Sequence, residues 1–143
     1  MKQSLIDTDI LSLFFRNHPE VTDRFSAYLT THNKINISII TYYEILSGLK
    51  HRDANKKMAL FLKFASTNSV LPLTESSVNI SSQIYADMRR AGSPLDDIDI
   101  LIAGVAIAND LNLVTHNRRH FERINGLEVE DWSELKPADP PNL

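Results

Sequence analysis

Five carboxylates in this chain fall where strands should pass into helices: Asp7, Glu44, Asp96, Asp97 and Asp99. No run of lysines accompanies them. Acids gathered without matching cations repel one another, and a divalent cation is the direct remedy. An all-oxygen ligand set selects a hard metal, Mg²⁺ or Mn²⁺, over zinc. Metals held this way serve phosphate chemistry, because they activate water, polarise the phosphoryl group and steady the leaving oxygen. The chemistry expected is therefore hydrolytic, that of a nuclease or a phosphatase.

Each acid also has a purely structural explanation. Thr41-Tyr42-Tyr43-Glu44 fits a capping box, in which the glutamate bonds back to the cap residue. Thr8 or Asp9 could be an N-cap for a helix starting at Ile10. Asp96 and Asp97 complement the dipole of a helix opened by Ser93-Pro94. Asp99 is harder to explain so. It stands between Ile98 and Ile100, and from Ile100 to Ala108 no side chain is polar. A helix apolar on every side must be buried on every side. A lone carboxylate entering such a core is costly unless something pairs with it. Asp7, at the end of the apolar run Ser4-Leu5-Ile6, raises the same question.

The elements that must position these acids read as alternating strands and helices. Strands are expected at Ser4–Ile6, Ile35–Ile39, Val70–Leu73, Leu111–Thr115 and Leu127–Glu130. Helical spacing fills most of the intervals: Ile10 to Phe15, Val21 to Leu29, Thr41 to Leu49, Asp53 to Ala65, a long helix closed by Gly92, and Pro94 onward. A short helix follows His116. This order predicts an α/β domain, doubly wound, with a mostly parallel central sheet flanked by helices. Such folds carry their sites outside the carboxyl ends of the strands. Asp7, Glu44, Asp99 and the pair Thr115 and Asn117 all map there.

Composition sets the outer limits. With 143 residues, 43% of them hydrophobic, the chain suits one domain with one core. We expect residues 1–136 to form the domain and 137–143 a loose C-terminal tail. The absence of cysteine excludes a disulfide scaffold, a thiolate zinc site and a cysteine nucleophile. No stretch has the length of a signal peptide or a membrane span, so a cytoplasmic protein is expected. The net charge is −3, but residues 122–143 alone carry −4, which leaves +1 for residues 1–121. With several acids there on metal, the remaining surface is basic, including Lys50-His51-Arg52, Lys56-Lys57, Arg89-Arg90 and Arg118-Arg119.

Five stretches resemble one known family. Leu5-Ile6-Asp7-Thr8-Asp9-Ile10-Leu11 resembles the opening of PIN-domain ribonucleases. Ile39 to Gly48 resembles their second motif, Asp99 to Gly104 their third, Leu113 to Asn117 with Phe121 to Ile124 their fourth, and Gly126 to Trp132 their usual ending. Order, spacing and length resemble the VapC toxins of bacterial type II toxin–antitoxin systems, over about residues 4 to 132. The resemblance implies a PIN-like fold and a Mg²⁺- or Mn²⁺-dependent endoribonuclease held in check by a VapB-type antitoxin. It also implies a homodimer and an RNA substrate, with tRNA among the family's targets. Asp7, Glu44 and Asp99 match the acidic ligands, and Asn117 matches the fourth catalytic position. Thr8 and Thr115 match supporting residues. Asp96 matches a position that is not always acidic, an optional ligand. His120 departs from the pattern, because many relatives carry an acid there. Arg118, Arg119 and His120 are thus candidates for holding RNA phosphate.

The same residues admit competing readings. Asp7-Thr8-Asp9 also resembles a haloacid-dehalogenase-type phosphatase, with a nucleophile followed by a general acid. That class needs a paired acid where Thr115-His116-Asn117 stands, and a lysine near it. His116 and His120 have a spacing of four, but no glutamate or cysteine supports zinc. Glycines at 48, 92, 104 and 126 form no phosphate loop. A catalytically weak binding module, acting only with its antitoxin, is kept open by His120.

Overall fold

The computed structural model describes residues 2–135; the expected tail at 137–143 lies outside them. Five short strands, β1 (Ser4–Ile6), β2 (Asn36–Ser38), β3 (Ser69–Leu71), β4 (Asn112–Val114) and β5 (Val129–Glu130), form one sheet in the order β3-β2-β1-β4-β5. Every pairing is parallel. β1 is central, with Leu5 opposite Leu113 and Ile6 opposite Val114. The chain runs from β1 outward to β3, then returns to β4 on the other side of β1. The gap between the carboxyl ends of β1 and β4 is therefore the switch point of the sheet, where such folds bind their ligands.

Strand residues alternate between two cores, as a period of two demands. Leu5 and Leu113 join one apolar cluster, and Ile6 and Val114 join the other. The first cluster is roofed by α5 (Glu75–Arg90) and α6 (Asp97–Ala108). The second is roofed by α1 (Thr8–Phe15), α2 (Pro19–Thr31), α3 (Ile39–His51) and α4 (Asn55–Thr67). Helices on both faces are what an all-parallel sheet requires. α7 (Arg118–Phe121) follows β4 and drives Phe121 into the first core.

The apolar helix is buried as expected, with Ile100 and the run from Ile102 to Ala106 out of solvent. It lies close against α5. A Cβ on Gly104 would meet the Ser77 carbonyl at 2.5 Å and collide with Ser81 Oγ. Ser81 Oγ instead donates to the Ile100 carbonyl at 2.9 Å. This contact fixes the height of α6, and hence of Asp99, relative to the sheet.

Three helix starts differ from the sequence expectation, and each difference bears on an acid. α1 begins at Thr8, and its cap is Asp7 rather than Thr8 or Asp9. α3 begins at Ile39, and Ser38 Oγ accepts from the Thr41 N–H at 3.0 Å. Thr41 is thus inside the helix, so Glu44 has no part in a capping box. α6 begins at Asp97 with Asp96 as N-cap, and the Asp96 side chain makes no capping bond. Asp99 therefore lies in the first turn, and Ser93-Pro94 belongs to the preceding loop.

Candidate active site

Asp7 leaves β1 with its backbone N–H on the Val114 carbonyl, at 2.9 Å. Its Oδ1 accepts from the Thr8 N–H at 2.8 Å. Its Oδ2 accepts from the Thr115 hydroxyl at 2.8 Å. Thr115 ends the extension of β4 and is fully buried, so the hydroxyl is pinned between the two strands. Thr115 Oγ1 also accepts from the Asn117 N–H at 3.1 Å.

Glu44 approaches from α3. Its Oε1 accepts from the Thr8 hydroxyl at 2.6 Å, and Thr8 Oγ1 lies 3.0 Å from Thr41 Oγ1. Thr8, the residue after Asp7, therefore bridges α1 to α3 and fixes the glutamate. On the far side Asp99 Oδ2 stands 3.5 Å from His120 Nδ1, which is 2.7 Å from Asn117 Nδ2. His120 is thus the partner that Asp99 required. A continuous path of contacts runs from Glu44 through Thr8, Asp7, Thr115, Asn117 and His120 to Asp99.

Asp9 belongs to this network. Its Oδ1 accepts from the Ile10 N–H at 2.7 Å. Its Oδ2 accepts from the His116 N–H at 3.1 Å and lies 3.4 Å from Thr115 Oγ1. Sequence reasoning offered Asp9 as a cap or as a phosphatase's general acid, not as one of the metal-site acids. The available signal was its position two residues beyond Asp7, in the first turn of a helix aimed at the same strand end. Asp131, likewise unforeseen, is buried and holds His116 Nδ1 at 3.0 Å.

The other expected residues are placed differently. Asp96 and Asp97 are exposed at the mouth of α6. Arg118 is engaged by Glu122 at 3.1 Å and Glu134 at 3.5 Å. His120 faces the acids. Arg119 is exposed and, of the three residues proposed to contact phosphate, is the one that makes no ion pair within the described residues.

Crowding leaves a clear electrostatic mark. Burial, above all, pushes the Asp7 carboxyl up to about 7, with the charge of Asp9 and then that of Asp99 adding to it. The bonds from Thr115 and Thr8 pull the other way but do not win. Asp9 is raised by burial. Asp99 is raised by burial and by Asp96, against the lowering effect of His120. Among the described residues no lysine or arginine forms an ion pair with Asp7, Asp9, Glu44 or Asp99.

A hard divalent cation fits this donor set. The donors are all oxygen, burial and neighbouring acids disfavour their charge, and no lysine or arginine pairs with them among the described residues, which is the condition a cation relieves. Among the described residues no three acid or histidine side chains already close round a single point. Mg²⁺ does not need such a cage, because it keeps several waters and takes one or two carboxylates together with substrate phosphate.

Fold and site together define a parallel α/β domain with an acidic cleft at its switch point. Residues 4–127 match the model of the PIN domain family. The chain is 34% identical over 135 residues to a tRNA(fMet)-specific endonuclease VapC of Shigella flexneri, covering 93% of this chain and 100% of that one. It is also 34% identical to the protein of that name from Salmonella typhimurium, covering 92% and 99%. DNA-bound VapBC from Salmonella typhimurium, solved by crystallography, contains a chain that superposes with a TM-score of 0.81 at 32% identity. That match covers 92% of this chain and 99% of the other. The chain belongs to the PIN-domain family, in its VapC branch.

Proposed function

We propose that the chain is a Mg²⁺- or Mn²⁺-dependent endoribonuclease toxin that hydrolyses RNA phosphodiester bonds and is neutralised by a VapB-type antitoxin. The observation that carries the reading is the uncompensated acid cluster at the switch point, joined through Thr8 and Thr115. The names of the relatives support the same reading, and they make tRNA the first substrate class to test. The structural neighbours, which are VapBC complexes, support the antitoxin partner. We further propose a homodimer acting in the cytoplasm; none of the described helices is long and apolar enough to cross a membrane.

Asp7 and Asp99 would hold the metal, with Glu44 acting directly or through a water. When bound, the ion supplies positive charge to the phosphodiester and makes a nearby water a stronger acid. The chain's own residues set the geometry. Thr115 and the Thr8 N–H each engage one oxygen of Asp7 and so fix the orientation of its carboxylate. Thr8 does the same for Glu44. Asn117, held by Thr115 through its N–H, orients a water or phosphate oxygen with its amide. His120 stands between Asn117 and Asp99 and closes that flank of the cleft. Asp96, exposed at the rim, is an optional ligand through water.

The test is cleavage of total cellular RNA by purified protein with and without Mg²⁺ or Mn²⁺, with the cut sites mapped. Metal-dependent cleavage at defined sites is expected. Tight antitoxin binding with no cleavage at any concentration of either metal would instead establish the binding module that His120 keeps open.

A further inference from the structure

The pairing of β4 with β5 ends at Val114 and Glu130, but the two chains stay tied beyond it. The Thr115 N–H donates to the Glu130 carbonyl at 2.9 Å. One residue further on, His116 Nδ1 lies 3.0 Å from Asp131 Oδ2 and 2.9 Å from Ser133 Oγ. Asp131 Oδ1 accepts from the Ser133 N–H at 2.8 Å and from the Ser133 hydroxyl at 2.5 Å. The hydroxyl spends its one proton there, so Ser133 Oγ can only accept from His116. A bare Nδ1 would set its lone pair against those of two oxygens. The contacts therefore require the proton on Nδ1, and a neutral ring then leaves Nε2 unprotonated. The Asp131 side chain is 3% exposed and that of His116 is 66% exposed. The imidazole is thus gripped along one edge by a carboxylate that the interior holds still.

We propose that Asp131 is a positioning residue for the acid cleft, acting through the Nδ1–H of His116 on residues 115–117, the segment between β4 and α7. This rests on the ribonuclease reading above. The segment brings three groups to the cleft. Thr115 Oγ1 donates to Asp7 Oδ2 at 2.8 Å, the His116 N–H donates to Asp9 Oδ2 at 3.1 Å, and the Asn117 amide follows. Thr115 has one hydroxyl proton, and Asp9 Oδ2 stands 3.4 Å away as a second acceptor for it. While the His116 N–H fills Asp9, that proton stays on the shorter bond to Asp7. Release of His116 from Asp131 frees the main chain of the segment. The Thr115 proton then divides between the two acids, and Asp7 loses its fixed orientation. Local helix chemistry does not hold the segment in place of this tether, because Asn117, at the N-cap of α7, makes no side-chain capping bond.

Asparagine places an amide N–H where histidine carries Nδ1, and glutamine places one where it carries Nε2. His116→Asn can therefore keep the bond to Asp131, and His116→Gln cannot. Both replace an exposed side chain, and a circular-dichroism melt checks each fold. With labelled cellular RNA and saturating Mg²⁺, His116→Gln should lower kcat about tenfold with KM close to that of the parent. His116→Asn should keep most of the parent kcat. Equal losses in the two variants overturn the proposal, because the ring or its Nε2 would then be what matters; so do two variants as active as the parent. Two further readouts use no RNA. Nitrogen-15 NMR of the imidazole at about pH 8, where the ring is neutral, should show the Nδ1–H tautomer in the parent. In Asp131→Asn the amide oxygen stays on the two Ser133 donors and the amide N–H faces Nδ1, so the ring should switch to Nε2–H. The backbone amides of His116 and Asn117 should exchange with solvent faster in His116→Gln than in the parent, and at the parent rate in His116→Asn. An Nε2–H ring in the parent, or unchanged exchange in His116→Gln, overturns the proposal. The ribonuclease reading fails separately, if the parent cuts no RNA while tautomer and exchange behave as stated.

Discussion

Replacing Asp7 with asparagine should make the metal-free protein more stable, by an amount that grows with pH. The Asp7 carboxyl titrates near 7 in the fold against an ordinary value of 3.8. Below 3.8 it is protonated in both folded and unfolded chains, and the site carries no penalty. As pH rises from 3.8 towards 7, the unfolded chain releases this proton and the folded chain keeps it, so stability falls. Above 7 both have lost it, and the full difference of about 3 pH units, about 4 kcal/mol, stands against the fold. Asparagine has no such proton. Its Oδ1 can keep the Thr8 N–H, and its Nδ2 can donate to Thr115 Oγ1, whose own proton then turns to Asp9. That rearrangement costs about 1 kcal/mol at most. The variant should match its parent within about 1 kcal/mol at pH 4 and exceed it by about 3 kcal/mol at pH 8. The gain corresponds to about 10 °C in Tm. Urea unfolding in EDTA at pH 4, 6 and 8, followed by fluorescence of the buried Trp132, measures this. A difference that does not grow between pH 4 and 8 would refute the reasoning, as would a variant that is less stable at pH 8.

Adding Mg²⁺ should raise the Tm of the parent at pH 8 and leave Asp7→Asn nearly unmoved, since a ligand stabilises only the state that binds it; equal shifts would place the metal elsewhere. Asp99→Asn should abolish RNA cleavage while preserving the circular-dichroism spectrum and a cooperative melt, and cleavage at the parent rate would remove Asp99 from the site. Thr115→Val should cost about 2 kcal/mol, because it removes a buried hydroxyl and strands the Asn117 N–H; urea unfolding at pH 5 reads the loss, and a neutral result would show that water takes its place. Gly104→Ala should destabilise by about 3 kcal/mol through its collision with Ser77 and Ser81, and should lower the Tm even with metal present.

The sheet and the identity of its strands were legible because they are short apolar runs bounded by polar residues, as at Ser4-Leu5-Ile6 and Leu113-Val114. Helix starts were less so. Asp7, Ser38 and Asp96 each stand at the cap, yet each is followed closely by another residue able to cap. Local chemistry alone does not choose between them; for Asp7 and Ser38 the end of the preceding strand does. The same ambiguity gave Glu44 a capping role that the earlier start of α3 removes. Asp7 and Asp99 stood out because a carboxylate next to an apolar run needs a partner. The partners, Thr115 for Asp7 and His120 for Asp99, are distant in sequence and nothing local marks them. Phe14 and Phe15 looked alike in sequence. The fold stacks Phe14 on Phe25, with centroids 4.1 Å apart, and leaves Phe15 exposed.

The hydrogen bond between Asp7 and Thr115 joins residues 108 positions apart. β4 can take its place beside β1 only after β2 and β3 have been made and the chain has returned. At ordinary rates of synthesis, about 5 to 20 seconds separate the appearance of Asp7 from that of Thr115. Throughout that interval the nascent chain holds some of its acids but no cleft. A chain ending before β4 holds Asp7, Glu44 and Asp99 but lacks Thr115, Asn117 and His120, the residues that link Asp7 to Asp99 across the cleft.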